Sequence, residues 1–144
     1  MEPLEELQSL YEAYYTRFHA AEQKRRPGAG FMGMGGGPQD YPCHEQFTGE
    51  LENFLQTTAV GLNPELTGQL LSYILFAPLD RQKDRDTVYW MLMAVHGFTL
   101  PLIPALTVKT AGELYRKYQE VYPERVLLPV HYKVLAALKE RGKG

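Results

Sequence analysis

Cys43 is the residue that most directly suggests catalytic chemistry, because it is the only cysteine of the 144-residue chain. It falls in the first turn of a predicted helix, where the helix dipole favours the reactive thiolate. A cysteine nucleophile also needs a base within hydrogen-bond reach. Adjacent residues on a helix do not face each other, so His44 cannot serve, and the fold would have to bring His96 or His131 close. We interpret Cys43 as a small buried hydrophobe and keep it as a candidate ligand-binding residue.

Three histidines, His44, His96 and His131, lie on the apolar faces of three different predicted helices. Three imidazoles that met in the core of a bundle could bind a transition metal. The sequence contains no Glu-x-x-His motif, which excludes the di-iron carboxylate bundle, and no His-Glu-x-x-His motif either. We therefore interpret the histidines as core or boundary residues, and we predict no metal site and no cofactor.

A glycine-rich stretch, residues 27–39, holds six of the 13 glycines and matches G-x-G-x-x-G at residues 28–33. The dinucleotide fingerprint needs a strand before it and a helix N-terminus after it. Here a helix precedes it and more glycines follow, which argues against dinucleotide binding and predicts a long flexible loop. Phe31 and Met32 are apolar side chains on this loop, so they must tuck back onto the protein or meet a ligand or partner.

The helices that must position these residues begin with a heptad pattern near the N-terminus. Apolar residues recur there at spacings of three and four, which predicts a helix from about Pro3 to Lys24. Its stripe consists of Leu4, Leu7, Tyr11, Tyr14, Phe18 and Ala21.

Local cap signals place the next two helices. Asp40 can cap a second helix that has Pro42 in its first turn. Asn63 and the proline after it predict the start of a third helix, which should end before Pro78.

Residues 87–106 carry no formal charge and are numerous enough to cross a membrane. They contain Pro101 and Pro104, and every other predicted helix is amphipathic and needs a surface to cover. We therefore predict that this fourth helix is buried at the centre of a bundle and breaks near Pro101 and Pro104, and we predict no membrane span.

The capping box Thr110-x-x-Glu113 predicts the start of a fifth helix. A sixth helix should begin near Pro129, with residues 139–144 fraying as a basic tail. Together these elements predict an all-α fold. We expect a single-domain bundle, residues 1–144, of five to six helices around the buried central helix, with the long Gly-rich loop after the first helix.

Composition and net charge indicate an ordinary globular domain and argue against a nucleic-acid-binding protein. Hydrophobic residues make up 44% of the chain and charged residues 22%, as in ordinary globular domains. The net charge of −2 gives no basic field for nucleic acid, although residues 27–108 carry −5 and residues 109–144 carry +4. The acidic N-terminal residues lack the basic and apolar regions of a signal peptide, which predicts a cytoplasmic protein.

Tyrosines provide the main hint of function, because several of the ten cluster on the first and the last two helices. Tyrosine joins apolar area to a polar tip and suits half-buried interfaces. We therefore predict a protein-interaction or regulatory module without catalytic activity, whose partner is another protein or a second copy of the chain as a homodimer. The candidate interface is the stripe of the first helix, Leu7, Tyr11, Tyr14 and Phe18.

The alternative prediction is an enzyme or a small-ligand binder. Its pocket would lie near the start of the second helix, with the Gly-rich loop as a lid. The ligand-binding residues would be Cys43, His44, His96, Phe31 and Met32. A third hypothesis, nucleic-acid binding through residues 24–26 and the basic C-terminal third, is disfavoured by the acidic middle and the lack of a recognition motif.

Overall fold

The computed structural model describes residues 2–24, 38–81 and 87–144, and within these ranges the chain has six α-helices and no strand. The predicted all-α bundle is confirmed. Buried apolar side chains from all six helices form one core. The α-helices are α1 (Pro3–Lys24), α2 (Pro42–Thr57), α3 (Pro64–Phe76), α4 (Thr87–Ala94), α5 (Val108–Val121) and α6 (Pro129–Gly142). Short 3₁₀ turns occupy Pro38–Asp40, Ala77–Arg81 and Glu124–Val126, and a longer 3₁₀ segment occupies Val95–Ala105.

The heptad stripe of α1 lies inside the protein. The helix has the predicted bounds, and its stripe packs against α2 and α3 of the same chain. Tyr14 stacks on Phe47 with ring centroids 4.3 Å apart, and Tyr11 meets the same ring edge-on at 5.1 Å. Offset and edge-on ring contacts of this kind add stabilisation beyond the area that they bury.

The caps of α2 and α3 differ in how well the sequence predicts them. The prediction that Asp40 caps α2 is wrong, because Asp40 belongs to the 3₁₀ turn before the helix and Tyr41 is the N-cap residue. A residue that precedes a proline is held in extended backbone, so Tyr41 marks the boundary. For α3 the prediction is confirmed: the Asn63 side chain accepts a hydrogen bond of 2.8 Å from the Leu66 amide.

The central apolar stretch changes from α to 3₁₀ geometry well before Pro101. The prediction that α4 runs to Pro101 is wrong, because the helix ends at Ala94 and the chain continues as the 3₁₀ segment Val95–Ala105. We call this the 95–105 segment. Pro101 and Pro104 lack amide hydrogens and would clash with the preceding turn of an α-helix. The segment packs against α2, α3, α4 and α6, so it occupies the predicted central position.

The last two helices correct two further expectations. The N-cap of α5 is Thr107, whose hydroxyl accepts from the Thr110 amide at 3.1 Å, so the helix starts before the predicted capping box. The predicted fray of residues 139–144 is also wrong, because α6 continues to Gly142. Its end is fixed by Arg141, whose Nε donates to the Leu106 carbonyl at 2.7 Å.

Among the described residues, one stretch is long and apolar enough to cross a membrane by length and composition. It is Thr87–Ala105, and half of its most apolar window is buried inside the bundle. Core helices of soluble proteins pass the same test, so the expectation of no membrane span stays a prediction.

Candidate functional site

An apolar cleft lies between the C-terminal part of α2, the turn that follows it and the 95–105 segment. Its volume is about 500 Å³, within the range of roughly 300–1,000 Å³ that is typical of small-molecule sites. We call it the apolar cleft. It is lined by Glu52, Leu55, Gln56, Ala59, Val60, Gly61, Leu62, Thr67, Gly97, Phe98, Pro101, Leu102 and Ala105.

The turn after α2 forms one wall of the apolar cleft. The amides of Thr58 and Ala59 both donate to the Phe54 carbonyl, at 2.8 and 3.1 Å, and this closes the helix. Gly61 follows with a φ of 87°, a left-handed conformation that glycine adopts without the steric cost of a side chain. The turn leaves Val60 at the rim with 61% of its surface exposed.

The 95–105 segment forms the opposite wall. Leu102 is buried, whereas Pro101 and Ala105 are exposed at the rim. Their carbon surfaces therefore face solvent beside a concave apolar surface. Apolar side chains that line a concave surface are typical of small-molecule sites.

Few of the described side chains that line the apolar cleft are polar. Glu52 is the only formally charged residue among the described residues that line it. Its carboxylate accepts a hydrogen bond of 3.3 Å from the Gln56 amide one turn later on α2. The Thr67 hydroxyl already donates a hydrogen bond of 3.1 Å to the Asn63 carbonyl, so its hydrogen is not available to a ligand. A carboxylate with unused acceptor positions thus lies at the edge of a mainly apolar surface.

Two other clefts are more polar in their lining. One, of about 570 Å³, lies between α1, α3 and α5, is more open, and includes Glu65 and Glu113. The other, of about 410 Å³, lies on α5 and α6 and is lined by tyrosines that include Tyr115 and Tyr132. We call it the tyrosine cleft.

His44 is held in a buried network at the start of α2. Its Nε2 lies 2.6 Å from the Pro38 carbonyl, and a carbonyl only accepts, so Nε2 carries the hydrogen. Its Nδ1 lies 2.7 Å from the Tyr14 hydroxyl and accepts from it. Tyr41 stacks on the same imidazole with ring planes 10° apart. The network joins α1 to the start of α2, which is a structural role.

His96 and His131 form a second buried network, 5.3 Å apart between ring centroids. His131 is fully satisfied: its Nδ1 accepts from the Leu128 amide and its Nε2 donates to the Met93 carbonyl, both at 2.8 Å. Nδ1 of His96 lies 2.8 Å from the Tyr118 hydroxyl, whereas its Nε2 has no hydrogen-bond partner among the described residues. Burial lowers the pKa of both imidazoles, and His131 lowers that of His96 further.

Two of the predicted ligand-binding residues, His44 and His96, belong to separate networks in the structure. The partners of His44 are on α1 and in the turn before α2, whereas His96 contacts α5 and α6. Cys43 is buried, and burial raises the pKa of its thiol. No hydrogen bond links it to a histidine within residues 2–24, 38–81 and 87–144. None of the three lines the apolar cleft, so the predicted pocket at the start of α2 is not the one that is found.

The other predicted site residues fall in two groups. Leu7, Tyr11, Tyr14 and Phe18 are buried, with at most 5% of each exposed, so the predicted interface stripe is internal and presents no surface to a partner. Phe31 and Met32, with most of the Gly-rich loop, lie outside the described residues. In the part of the chain that is described, no cluster of three or more histidine, cysteine or acidic residues could hold a metal ion.

The apolar cleft was not predicted from the sequence. Its residues come from α2, the following turn, Thr67 of α3 and the 95–105 segment, which begins about 40 positions after the end of α2. Two local signals mark its walls: Gly61 beside an exposed valine, and the paired prolines of the 95–105 segment. Neither signal shows from the sequence that the two walls face each other.

Comparison of the chain with protein-family models, with curated proteins and with solved structures finds no match. Any functional conclusion therefore rests on the chain's own geometry.

Proposed function

We propose that the chain is a non-catalytic binding protein that holds the apolar part of a small ligand in the apolar cleft. The observation that carries the proposal is the cleft itself, with a volume of about 500 Å³ and a mainly apolar lining. An apolar concave surface with a few polar groups at its edge is the usual form of a small-molecule site. This replaces the pocket that the sequence predicts near Cys43.

The described side chains favour binding over catalysis. A cysteine nucleophile needs a lowered pKa or an adjacent base, whereas burial raises the pKa of the Cys43 thiol. His44 and His131 use both ring nitrogens in structural hydrogen bonds. The part of the lining that the structure describes includes no histidine, cysteine or lysine, so it offers apolar contact rather than an activated group.

The expected affinity is modest. Each buried methylene contributes about 0.8 kcal/mol, so an eight-carbon chain gains about 6 kcal/mol before the cost of losing its freedom is subtracted. We therefore expect simple apolar probes to bind at high micromolar to millimolar concentration. A natural ligand that also satisfies the polar edge would bind more tightly.

A fluorescence titration tests the proposal with matched variants. The neutral probe N-phenyl-1-naphthylamine should become brighter with saturable binding to the full chain. Ala105→Trp, which fills the cleft from its exposed rim, should abolish that signal. Ala20→Trp on the exposed face of α1 is the control and should leave it unchanged. Equal binding to both variants would refute the cleft as the site.

A second candidate function, protein interaction, is favoured by a separate observation on α6. Leu128 and Tyr132 are 50% and 49% exposed, and Tyr132 lines the tyrosine cleft with Tyr115 and Lys139. Tyrosine is enriched at protein interfaces, because it joins apolar area to a polar tip. We propose this surface, in place of the α1 stripe, for a partner protein or a second copy of the chain. Native mass spectrometry of the wild type and of Tyr132→Asp tests it: a dimer or complex lost in the variant supports the surface, and one that persists refutes it.

A further inference from the structure

We propose that the ligand of the apolar cleft is a cationic amphiphile, a molecule with an apolar body and one amine or quaternary ammonium group. The inference rests on the proposed function, because it names the chemistry of the ligand for the same cleft. The apolar lining takes the body of the ligand, and Glu52 faces its charge. Among the lining residues that the structure describes there is no arginine or lysine.

The charge balance around the cleft supports a cation. Glu50, two residues earlier on α2, is neutralised by Arg17, whose guanidinium lies 2.7 Å from its carboxylate. Glu52 has no such ion pair within the described ranges, and the group that donates to its carboxylate is the neutral Gln56 amide. A carboxylate accepts up to about four hydrogen bonds, so most of its capacity is open to a ligand.

Other ligand chemistries fit the lining less well. A fatty acid or another anionic amphiphile would place its carboxylate beside Glu52, and no cation among the described lining residues would offset the repulsion. A neutral ligand would bury its apolar part equally well but would leave the open positions of Glu52 to water. Of the three headgroups, only the cation is attracted to Glu52, the one formal charge among the lining residues within the described ranges.

A matched series of eight-carbon ligands separates the contribution of the headgroup to the affinity from that of the apolar body. Displacement of N-phenyl-1-naphthylamine by n-octylammonium, n-octanol and n-octanoate gives three affinities for the same chain length. We expect octylammonium to bind about threefold more tightly than octanol, the scale of an exposed ion pair, and octanoate to bind most weakly. The preference should shrink as ionic strength rises from low to about 0.5 M, because salt screens exposed charges.

Two isosteric variants identify the charge responsible. Glu52→Gln should lose the preference for octylammonium over octanol. Glu45→Gln, an exposed residue of the same helix outside the lining, is the control and should keep it. Equal binding of the three ligands by the wild type, or a preference that survives Glu52→Gln, overturns the inference while the proposed function stands. Failure of octanol itself to bind overturns the proposed function.

Discussion

Gly97 provides the sharpest test of how the 95–105 segment meets α6. A Cβ atom added at Gly97 would lie 2.5 Å from Cγ2 of Val130. Carbon atoms in contact are normally about 3.5–4.0 Å apart, so an alanine there requires a shift of about 1 Å. The β-branched side chain of Val130 is stiff, and the backbone of α6 or of the segment must therefore give way.

Gly97→Ala should lower the free energy of unfolding by about 1–3 kcal/mol, the usual cost of overpacking. For a chain of this size that corresponds to a decrease in Tm of about 2–4 °C per kcal/mol. Gly49→Ala is the matched control, because Gly49 lies in α2 and a Cβ there would meet nothing within 4 Å. We expect Gly49→Ala to stabilise the chain by about 0.5–1 kcal/mol, since alanine favours helix.

A double-mutant cycle isolates the contact. Val130→Ala removes Cγ2 and leaves only Cβ, which lies 4.0 Å from the position that a Cβ atom at Gly97 would occupy. The cost of Gly97→Ala should therefore fall by about 1 kcal/mol or more in the Val130→Ala background. Urea denaturation of the four proteins, with unchanged m-values, measures the coupling. An equal cost of Gly97→Ala in both backgrounds would refute the close approach of the segment to α6.

Three further predictions concern the two buried histidines, the Asn63 cap and the Cys43 thiol. Burial lowers the pKa of His96 and His131 below 6.5, so below that pH the unfolded chain binds more protons than the folded chain. The free energy of unfolding should therefore stay constant above about pH 6.5 and decrease as the pH falls below it, by up to about 1.4 kcal/mol per pH unit per histidine. The urea midpoint of unfolding, measured between pH 7.5 and 5.5, checks this prediction. A dependence of the midpoint on pH that is unchanged in His131→Gln would contradict it. Asn63→Ala should cost about 1 kcal/mol, since it removes the acceptor of the Leu66 amide; thermal unfolding with no loss would argue against the cap. Cys43 should react with iodoacetamide more slowly than free cysteine at neutral pH, because burial raises its pKa and covers the sulfur; a rate equal to that of free cysteine would show that the thiol is exposed.

The sequence predicts well those structural features, such as helix bounds and caps, that depend on residues close together in the chain. The bounds of α1 follow from its heptad period and the proline at its start. The start of α3 follows from an asparagine cap before a proline. The same period shows that Tyr11 and Tyr14 share one face, but it does not show what covers that face. An internal packing stripe and a dimer seam have the same pattern, and here α2 and α3 cover the stripe.

Features that depend on distant residues could not be predicted from the sequence. The tyrosine that contacts His44 is 30 positions away and the tyrosine that contacts His96 is 22 positions away, so no local spacing shows that the two histidines belong to separate networks. The α-to-3₁₀ change at Val95 precedes Pro101 by more than a turn. The apolar cleft exists only because this segment lies opposite the end of α2.

The most direct test of ligand binding in the apolar cleft is an NMR titration of the full, isotope-labelled chain with n-octanol. We predict saturable shifts of the backbone amides that line the apolar cleft, above all Gly61, Gly97 and Phe98, with a single dissociation constant. The amides around Cys43 and His44 should stay in place, because they belong to another part of the bundle. Shifts centred on those residues, or no saturable shifts at all, would contradict binding in the apolar cleft.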